Sequence, residues 1–138
     1  MKILSLIFLC GVVWLAGCAS GIIAPAERPM LNGTVWYRER IALPTTAVLT
    51  VRLLDLTKAD NGSEVVLAER SISNPGNPPM AFSLPYPFGG IVANRRYVIE
   101  ARVEVEGRLR FFSAEPHGVT PQNAAQAHDI LVTMTREN

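Results

Sequence analysis

Alternating apolar and polar positions recur from residue 31 onward and predict β-strands rather than helices. The pattern is clearest over 96–105, where one face consists of Tyr97, Ile99, Ala101, Val103 and Val105. The other face consists of Val98, Glu100, Arg102 and Glu104. A helical period would scatter these apolar residues around the circumference. This segment is therefore predicted to be an antiparallel strand with one buried face.

Weaker alternation predicts further strands on both sides of this segment. They cover residues 33–41, 47–56, 64–72 and 80–86, with a closing strand through Ile130, Val132 and Met134. Pro85 and Pro87 limit the fourth of these to a sheet edge, because proline donates no backbone hydrogen bond. Residues 57–63 and 114–128 are predicted connections. About seven short strands indicate one all-β domain, a single antiparallel β-sandwich of immunoglobulin- or transthyretin-like architecture.

The turn after the clearest strand is predicted from the same alternation. A two-residue turn would place Val105 opposite Arg108, which breaks the pattern of apolar residues facing apolar residues. The alternation therefore favours a three-residue turn over 106–108. Leu109 and Phe111 would then both return on the buried side of the sheet.

Trp36 and Tyr37 are neighbours in the first predicted strand, so only one of them can face the core. The other is a candidate exposed aromatic residue. It is either covered by a loop or neighbouring side chains, or it forms part of a binding surface.

The first 17 residues are typical of a secretory signal, with Lys2 followed by a short apolar run. The run is shorter than the roughly 20 apolar residues that a transmembrane helix needs. It ends in Leu15, Ala16, Gly17 and Cys18, which resemble the lipobox of bacterial lipoproteins. Cleavage before a lipidated Cys18 would make that residue the first of the mature chain. An uncleaved interfacial segment and a signal cut elsewhere within 16–20 remain as alternatives.

Lipid on Cys18 would hold the protein on a membrane. The expected groups are a covalent diacylglycerol and an N-acyl chain such as palmitate, with no other cofactor, and two or more acyl chains anchor stably. Ala19 follows, whereas an aspartate there retains enterobacterial lipoproteins in the inner membrane, so the resemblance points to the outer membrane. Residues 18–30 show no period and are predicted to be a lipidated N-terminus and flexible tether. The domain then occupies 31–138.

The charge balance argues against nucleic acid as a partner. Of 13 Lys and Arg residues only Lys2 precedes Cys18, while all 12 acidic residues follow it, so the mature side chains carry no net charge. Nucleic-acid binding requires a basic face. The mature chain also has a single lysine, Lys58, and no polybasic stretch that would add to membrane attachment.

Residues that could carry chemistry are few. His117 and His128 are the only histidines, and a metal site would need further ligands such as Glu115 and Asp129 to converge with them. We interpret the two histidines as surface residues instead. No serine lies in a nucleophile-elbow motif, and the carboxylates are scattered among arginines. We therefore predict no catalytic residue, no metal ligand and no enzymatic activity.

Four stretches of the predicted domain carry specific motifs. They are residues 37–44 (YRERIALP), 47–55 (AVLTVRLLD), 82–86 (FSLPY) and 97–111, followed by Val119 and Thr120. Together these stretches resemble the YbaY/YscW-type lipoprotein family over residues 31–120. The chain departs from that pattern at Pro87, where many relatives carry an aspartate, and in the loop at 121–128. The resemblance implies a small β-sandwich lipoprotein without a family catalytic residue.

Some members of that family are pilotins of type III secretion, which carry a secretin to the outer membrane. We predict a lipid-anchored, non-enzymatic binding or assembly factor that faces the periplasm, with an outer-membrane secretin as candidate partner. A partner segment could add to an edge strand or dock as a helix in an apolar groove. The alternatives are a structural or stress-related envelope lipoprotein without a dedicated partner and, with less support, an enzyme or small-ligand binder.

Overall fold

A computed structural model describes residues 27–136. The strands of this part are β1 (Met30–Trp36), β2 (Ala47–Lys58), β3 (Ser63–Ser73), β4 (Met80–Pro85), β5 (Tyr97–Val105), β6 (Arg108–Phe112), β7 (His117–Val119), β8 (Ala127–Leu131) and β9 (Thr133–Met134). One turn of 3-10 helix, Ala59–Asn61, connects β2 to β3. The lipobox and Ala19 lie outside the described residues. Between residues 27 and 136, no helix has the length and apolar content to span a membrane.

The strands form two sheets. The small sheet has the order β4-β1-β8, and the large sheet has the order β3-β2-β5-β6-β9. β7 also pairs with β5, along the first residues of that strand. All pairings are antiparallel except β1 with β8. The predicted all-β sandwich is confirmed, with two more short strands than expected and one parallel pairing.

One hydrophobic core lies between the sheets. The inner face of β2 contributes Leu49, Val51 and Leu53, all fully buried. From the small sheet, Leu31 and Val35 of β1 face the same core and are also fully buried. The alternation predicted for 97–105 is confirmed in part, because Tyr97, Ile99, Ala101 and Val103 are buried as predicted. Val105 is only half-buried, and Val98 of the other face is 8% exposed.

The predicted three-residue turn after β5 is wrong. The turn has two residues, Glu106 and Gly107, with φ angles of 51° and 79°, and Val105 pairs with Arg108. Positive φ at both positions is the geometry that matches the twist of a tight hairpin. A register irregularity then separates the Glu104–Leu109 pair from the next pair of the ladder.

This irregularity is what returns the apolar side chain to the core. It pairs Val103 with Phe111, which is 1% exposed, while Leu109 stays 40% exposed. A β-bulge inserts one extra residue and so reverses which residues face inward. The prediction assumed a regular ladder and therefore placed both Leu109 and Phe111 inside.

The predicted closing strand is split between the two sheets. β8 pairs with β1 in the small sheet, and β9 pairs with β6 in the large sheet. The chain crosses at Val132, whose N–H donates to the Trp36 carbonyl at 2.9 Å. Residues 114–128, predicted to be a connection, also contain all of β7. β7 was missed because three residues are too few to show an alternation.

Candidate functional site: a groove at one end of the sandwich

The two ends of the sandwich differ in what they carry. The described chain joins the sandwich at Met30, and β1 runs from there to Trp36, about 20 Å at 3.3 Å per residue. Tyr37 follows directly and stacks on Phe111 of β6, with ring centroids 4.4 Å apart. The β5–β6 turn therefore lies at the far end from Met30. We call these two ends the Met30 end and the groove end.

An open groove of about 490 Å³ lies at the groove end. We call it the end groove, and it is lined by Ile41, Ala42, Leu43, Pro44, Val105, Glu106, Arg108, Arg110 and Phe111. One side is the loop that follows β1, and the other is the β5–β6 hairpin. The groove exists because an irregular loop, rather than a strand, covers this end of the core.

Hydrogen bonds hold the loop side of the end groove in place. The Tyr37 hydroxyl donates to the Ile41 carbonyl at 2.7 Å, and the Leu43 N–H donates to Asn77 Oδ1 at 3.1 Å. Burial, reinforced by the charge of Glu39, raises the pKa of the Tyr37 phenol. The phenol therefore stays protonated and remains a donor to the loop. These contacts indicate a groove that is formed before any partner arrives.

The structure shows which of the two neighbouring aromatic residues, Trp36 or Tyr37, faces the core. Tyr37 is 7% exposed and belongs to the core, whereas Trp36 is 37% exposed. The predicted strand over 33–41 is shorter than expected, since β1 ends at Trp36. The residues beyond it, Ile41 among them, become the wall of the end groove instead.

The lining of the end groove combines apolar and charged side chains. Its apolar residues include Ile41, which is 45% exposed, beside the buried ring of Phe111. Its charged residues are Arg108, Arg110 and Glu106. The lining holds a single carboxylate and no histidine, cysteine, serine or threonine side chain. It therefore offers apolar area and positive charge to a ligand rather than an acid–base pair or a nucleophile.

The two histidines meet, which the sequence interpretation missed. His117 Nε2 lies 3.0 Å from His128 Nδ1, and the rings are edge to face. His128 is 2% exposed, so its interpretation as a surface residue is wrong. The parallel pairing of β8 with β1 buries it, and its Nε2 has no hydrogen-bond partner among the described residues. Eleven residues separate the pair along the chain, on two different strands.

The surroundings of the pair change the acidity of His117. Burial, then the neighbouring His128, lowers the pKa of His117, and the Asp129 carboxylate opposes this shift. Asp129 itself accepts a hydrogen bond from the Thr34 hydroxyl at 2.8 Å. Within residues 27–136 no three His, Cys, Asp or Glu side chains form a cluster suited to a metal ion. Glu115 and Asp129 thus do not complete a site with the two histidines.

The described residues form a β-sandwich with an open groove at one end, lined by apolar and charged side chains, and comparison with known proteins gives the family of the chain. Residues 26–132 match the family described as the type III secretion system lipoprotein chaperone, YscW. The chain belongs to this lipoprotein chaperone family, which confirms the resemblance drawn from its motifs.

Two relatives show how far the likeness extends. Lipoprotein YbaY of Escherichia coli K12 is 35% identical over 107 residues, or 77% of this chain. The match covers 56% of YbaY, so the chain spans about half the length of this curated relative. The structure of an alternative pilotin from the type II secretion system of Vibrio cholerae has a TM-score of 0.73 and 36% identity, covering 80% of this chain and all of that one.

Proposed function

We propose that this protein is a lipid-anchored pilotin-type chaperone that binds an outer-membrane secretin on the periplasmic side. The observation that carries the proposal is the likeness to the Vibrio cholerae pilotin, which matches along its whole length. The match to the lipoprotein chaperone family over residues 26–132 supports the same role. A binding groove without an acid–base pair agrees with a chaperone rather than an enzyme.

The anchor in this proposal is Cys18. After recognition of Leu15, Ala16 and Gly17 by the signal peptidase, Cys18 carries diacylglycerol and an N-acyl chain. Ala19 directs the protein to the outer membrane. Residues 18–30 tether the domain, whose first strand begins at Met30, so the end groove faces away from the attachment point. A bound secretin would be held near the outer membrane by the acyl chains alone.

Deleting the gene and following a secretin of the same cell tests the role. Secretin multimers should decrease in the outer-membrane fraction and return when the wild-type chain is restored. Restoration with Cys18→Ser should fail, because that chain binds the secretin without carrying it to the membrane. Secretin multimers that stay at wild-type amounts in the outer membrane after deletion would contradict the proposal.

Two variants test the proposed lipid anchor and its location in the outer membrane. Cys18→Ser should leave the membrane fraction, since it removes the thiol that receives the lipid. Ala19→Asp should stay in membranes but move from the outer to the inner one on a density gradient. Cys18→Ser protein that remains as firmly bound as wild type would exclude lipidation at this residue.

A further inference from the structure

We propose that the Met30 end of the sandwich lies on the lipid bilayer, with Phe88 of the loop between β4 and β5 inserted among the lipid headgroups. This inference rests on the proposed function, because the proposed anchor at Cys18 brings lipid to this end of the domain. It adds which surface of the domain contacts the membrane and which way the domain faces there.

The β4–β5 loop, residues 86–96, begins where the chain enters the sandwich. β4 ends at Pro85, which pairs with Met30, and the Tyr86 N–H donates to the Pro29 carbonyl at 3.0 Å. The loop then leads to Tyr97 at the start of β5. A lipid held by residues before Pro29 is therefore tethered to the side of the domain that carries this loop.

The backbone of this loop presents one aromatic ring to its surroundings. The Gly90 N–H donates to the Pro87 carbonyl at 2.9 Å, and Gly89 has a φ of 69°, so the segment forms a tight turn with Phe88 at its corner. Phe88 is 63% exposed, the highest value among the large apolar side chains of the described residues. The turn therefore holds the ring outside the core.

Two more apolar side chains are exposed at the same end. Val92 of the loop is 42% exposed, and Met30 is 41% exposed. Tyr86 and Ile91 of the same loop pack against the core instead, which attaches the loop to the domain. A single exposed apolar residue is ordinary, but three at one end fit a shallow insertion of about 5–10 Å into the headgroup region.

The length of the tether keeps this surface close to the bilayer. Met30 follows Cys18 by 12 positions, and a chain of that length spans at most about 43 Å even when fully extended. A surface held within that distance meets the bilayer at a high effective concentration. A few apolar side chains are then enough for contact, although they would bind a free domain only weakly.

The charges at the Met30 end balance, so apolar contact rather than charge is the driving force. Four basic and four acidic residues of the described chain belong to this end: Arg28, Lys58, Arg95 and Arg96 against Glu27, Asp55, Asp60 and Glu64. Anionic lipids attract polybasic segments, and this surface is not one. The contact should therefore form on vesicles of zwitterionic lipid.

Hydrogen–deuterium exchange tests the inference on the wild-type chain from Cys18 onward. Cys18 is the only cysteine of that chain, so its thiol can be coupled to a maleimide-bearing lipid in zwitterionic vesicles. The amides of residues 88–93 should exchange at least about threefold more slowly in the coupled chain than in the free chain. The amides of residues 41–46, at the groove end, should exchange at the same rate in both.

Three results would overturn the inference. The first is no slowing at residues 88–93, and the second is equal slowing at both ends of the sandwich, which would mean that the domain has no fixed orientation. The third is slowing that rises with the surface density of the chain, since that indicates contact between copies. Slowing that appears only after anionic lipid is added would likewise replace apolar insertion by charge attraction.

Matched phenylalanine variants locate the contact. Phe88→Ser should fold normally because the side chain is largely exposed, and it should bring exchange at residues 88–93 to within about 1.5-fold of the rate in its own free chain. Phe112→Ser is the control, since Phe112 is also exposed, at 38%, but lies in β6, which pairs with the groove-end half of β5. It should keep the full slowing. If both variants abolish the slowing, general apolar character and not the loop is the cause.

Coupling through the thiol makes these results independent of whether the cell acylates Cys18. If the loop is not protected while deletion of the gene still mislocalises the secretin, the proposed function stands and the membrane contact is wrong. If the loop is protected while the secretin keeps its location after deletion, the membrane contact stands and the chaperone role is wrong.

Discussion

Two regions of the sandwich differ in how closely they are packed: the contact between β1 and β8, and the end groove. At the first, Gly33 faces His128 across a parallel pairing so close that a Cβ would lie 1.8 Å from the His128 carbonyl oxygen. At the second, Ile41 and Phe111 border an open space of about 490 Å³. The core is sealed where two strands meet and open where a loop replaces a strand. Substitutions at the two places should therefore separate stability from binding.

The largest effect is expected at the sealed contact. Gly33→Ala should lower the free energy of unfolding by about 3 kcal/mol, because the new methyl group meets backbone atoms that cannot rotate away. Urea unfolding followed by circular dichroism measures the loss. Failure to fold at all would be the same result in a stronger form.

Gly118→Ala is the matched control for this prediction. Gly118 also lies in a short strand, but a Cβ there has no heavy atom within 4 Å. Its unfolding free energy should stay within about 0.5 kcal/mol of wild type. If the two alanine variants lose equal stability, the close approach of β1 to β8 is not what makes Gly33 necessary.

A smaller effect is expected at Phe111, which belongs to both the core and the end groove. Phe111→Leu should lose about 1–2 kcal/mol, since it removes the stacked contact with Tyr37 and part of the buried volume. The neighbouring Phe112 is 38% exposed, so Phe112→Leu should lose much less. Equal losses in the two variants, measured by thermal unfolding, would contradict the placement of Phe111 in the core.

A lower pH should reduce the stability of the folded domain, by less than the substitutions above. Burial lowers the folded-state pKa of His117 below its ordinary 6.5, so the unfolded chain binds more protons in the interval between the two values. Stability conferred by neutral His117 is therefore present above about pH 6.5 and decreases as the pH falls through and below it. Urea midpoints should be lower at about pH 5.5 than at about pH 7.5.

His117→Gln tests whether that histidine is responsible. Glutamine can still hydrogen-bond to His128 but does not titrate, so the decrease in urea midpoint should become smaller. Asp55, whose pKa is lowered by hydrogen bonds from Thr57, titrates below its ordinary 3.8 and stays outside this interval. An undiminished decrease in His117→Gln would assign the acid sensitivity to other groups.

The smallest effect on stability is expected at the open end. Arg108→Glu should change the unfolding free energy by no more than about 0.5 kcal/mol, because the side chain is exposed and forms no ion pair with a described residue. Urea unfolding measures the change, with Arg28→Glu as the control, because Arg28 is also exposed but lies at the Met30 end. A loss of several kcal/mol would mean that Arg108 stabilises the sandwich, and the contrast between the two regions would disappear.

Much of the fold could be predicted where a strand is long. β2 and β5 are at least nine residues long, and most of the residues that the alternation places inward are buried: Leu49, Val51 and Leu53 in β2, and Tyr97, Ile99, Ala101 and Val103 in β5. The edge position of β4 followed from its prolines and is confirmed. The β5–β6 turn was predicted wrongly, because a bulge changes the register without leaving a mark in the alternation.

The candidate site was much less accessible from the sequence. Its two sides, around Ile41 and around Arg108, are more than 60 residues apart and meet only in the folded chain. The available signals were an apolar Ile41 beyond the end of a strand and an arginine beside a tight turn. Neither residue indicates a groove by itself. The lipobox ending in Cys18 was visible in the sequence and remains a prediction.

By itself, the sequence determined which residues of the long strands face inward, because side-chain direction along a strand is a local property with a period of two. It also determined the family, through motifs that are contiguous in the chain. Only the tertiary structure decided that His117 meets His128, that β8 closes the small sheet against Gly33, and that one end stays open. Those features depend on pairings between distant segments, and no local pattern encodes them.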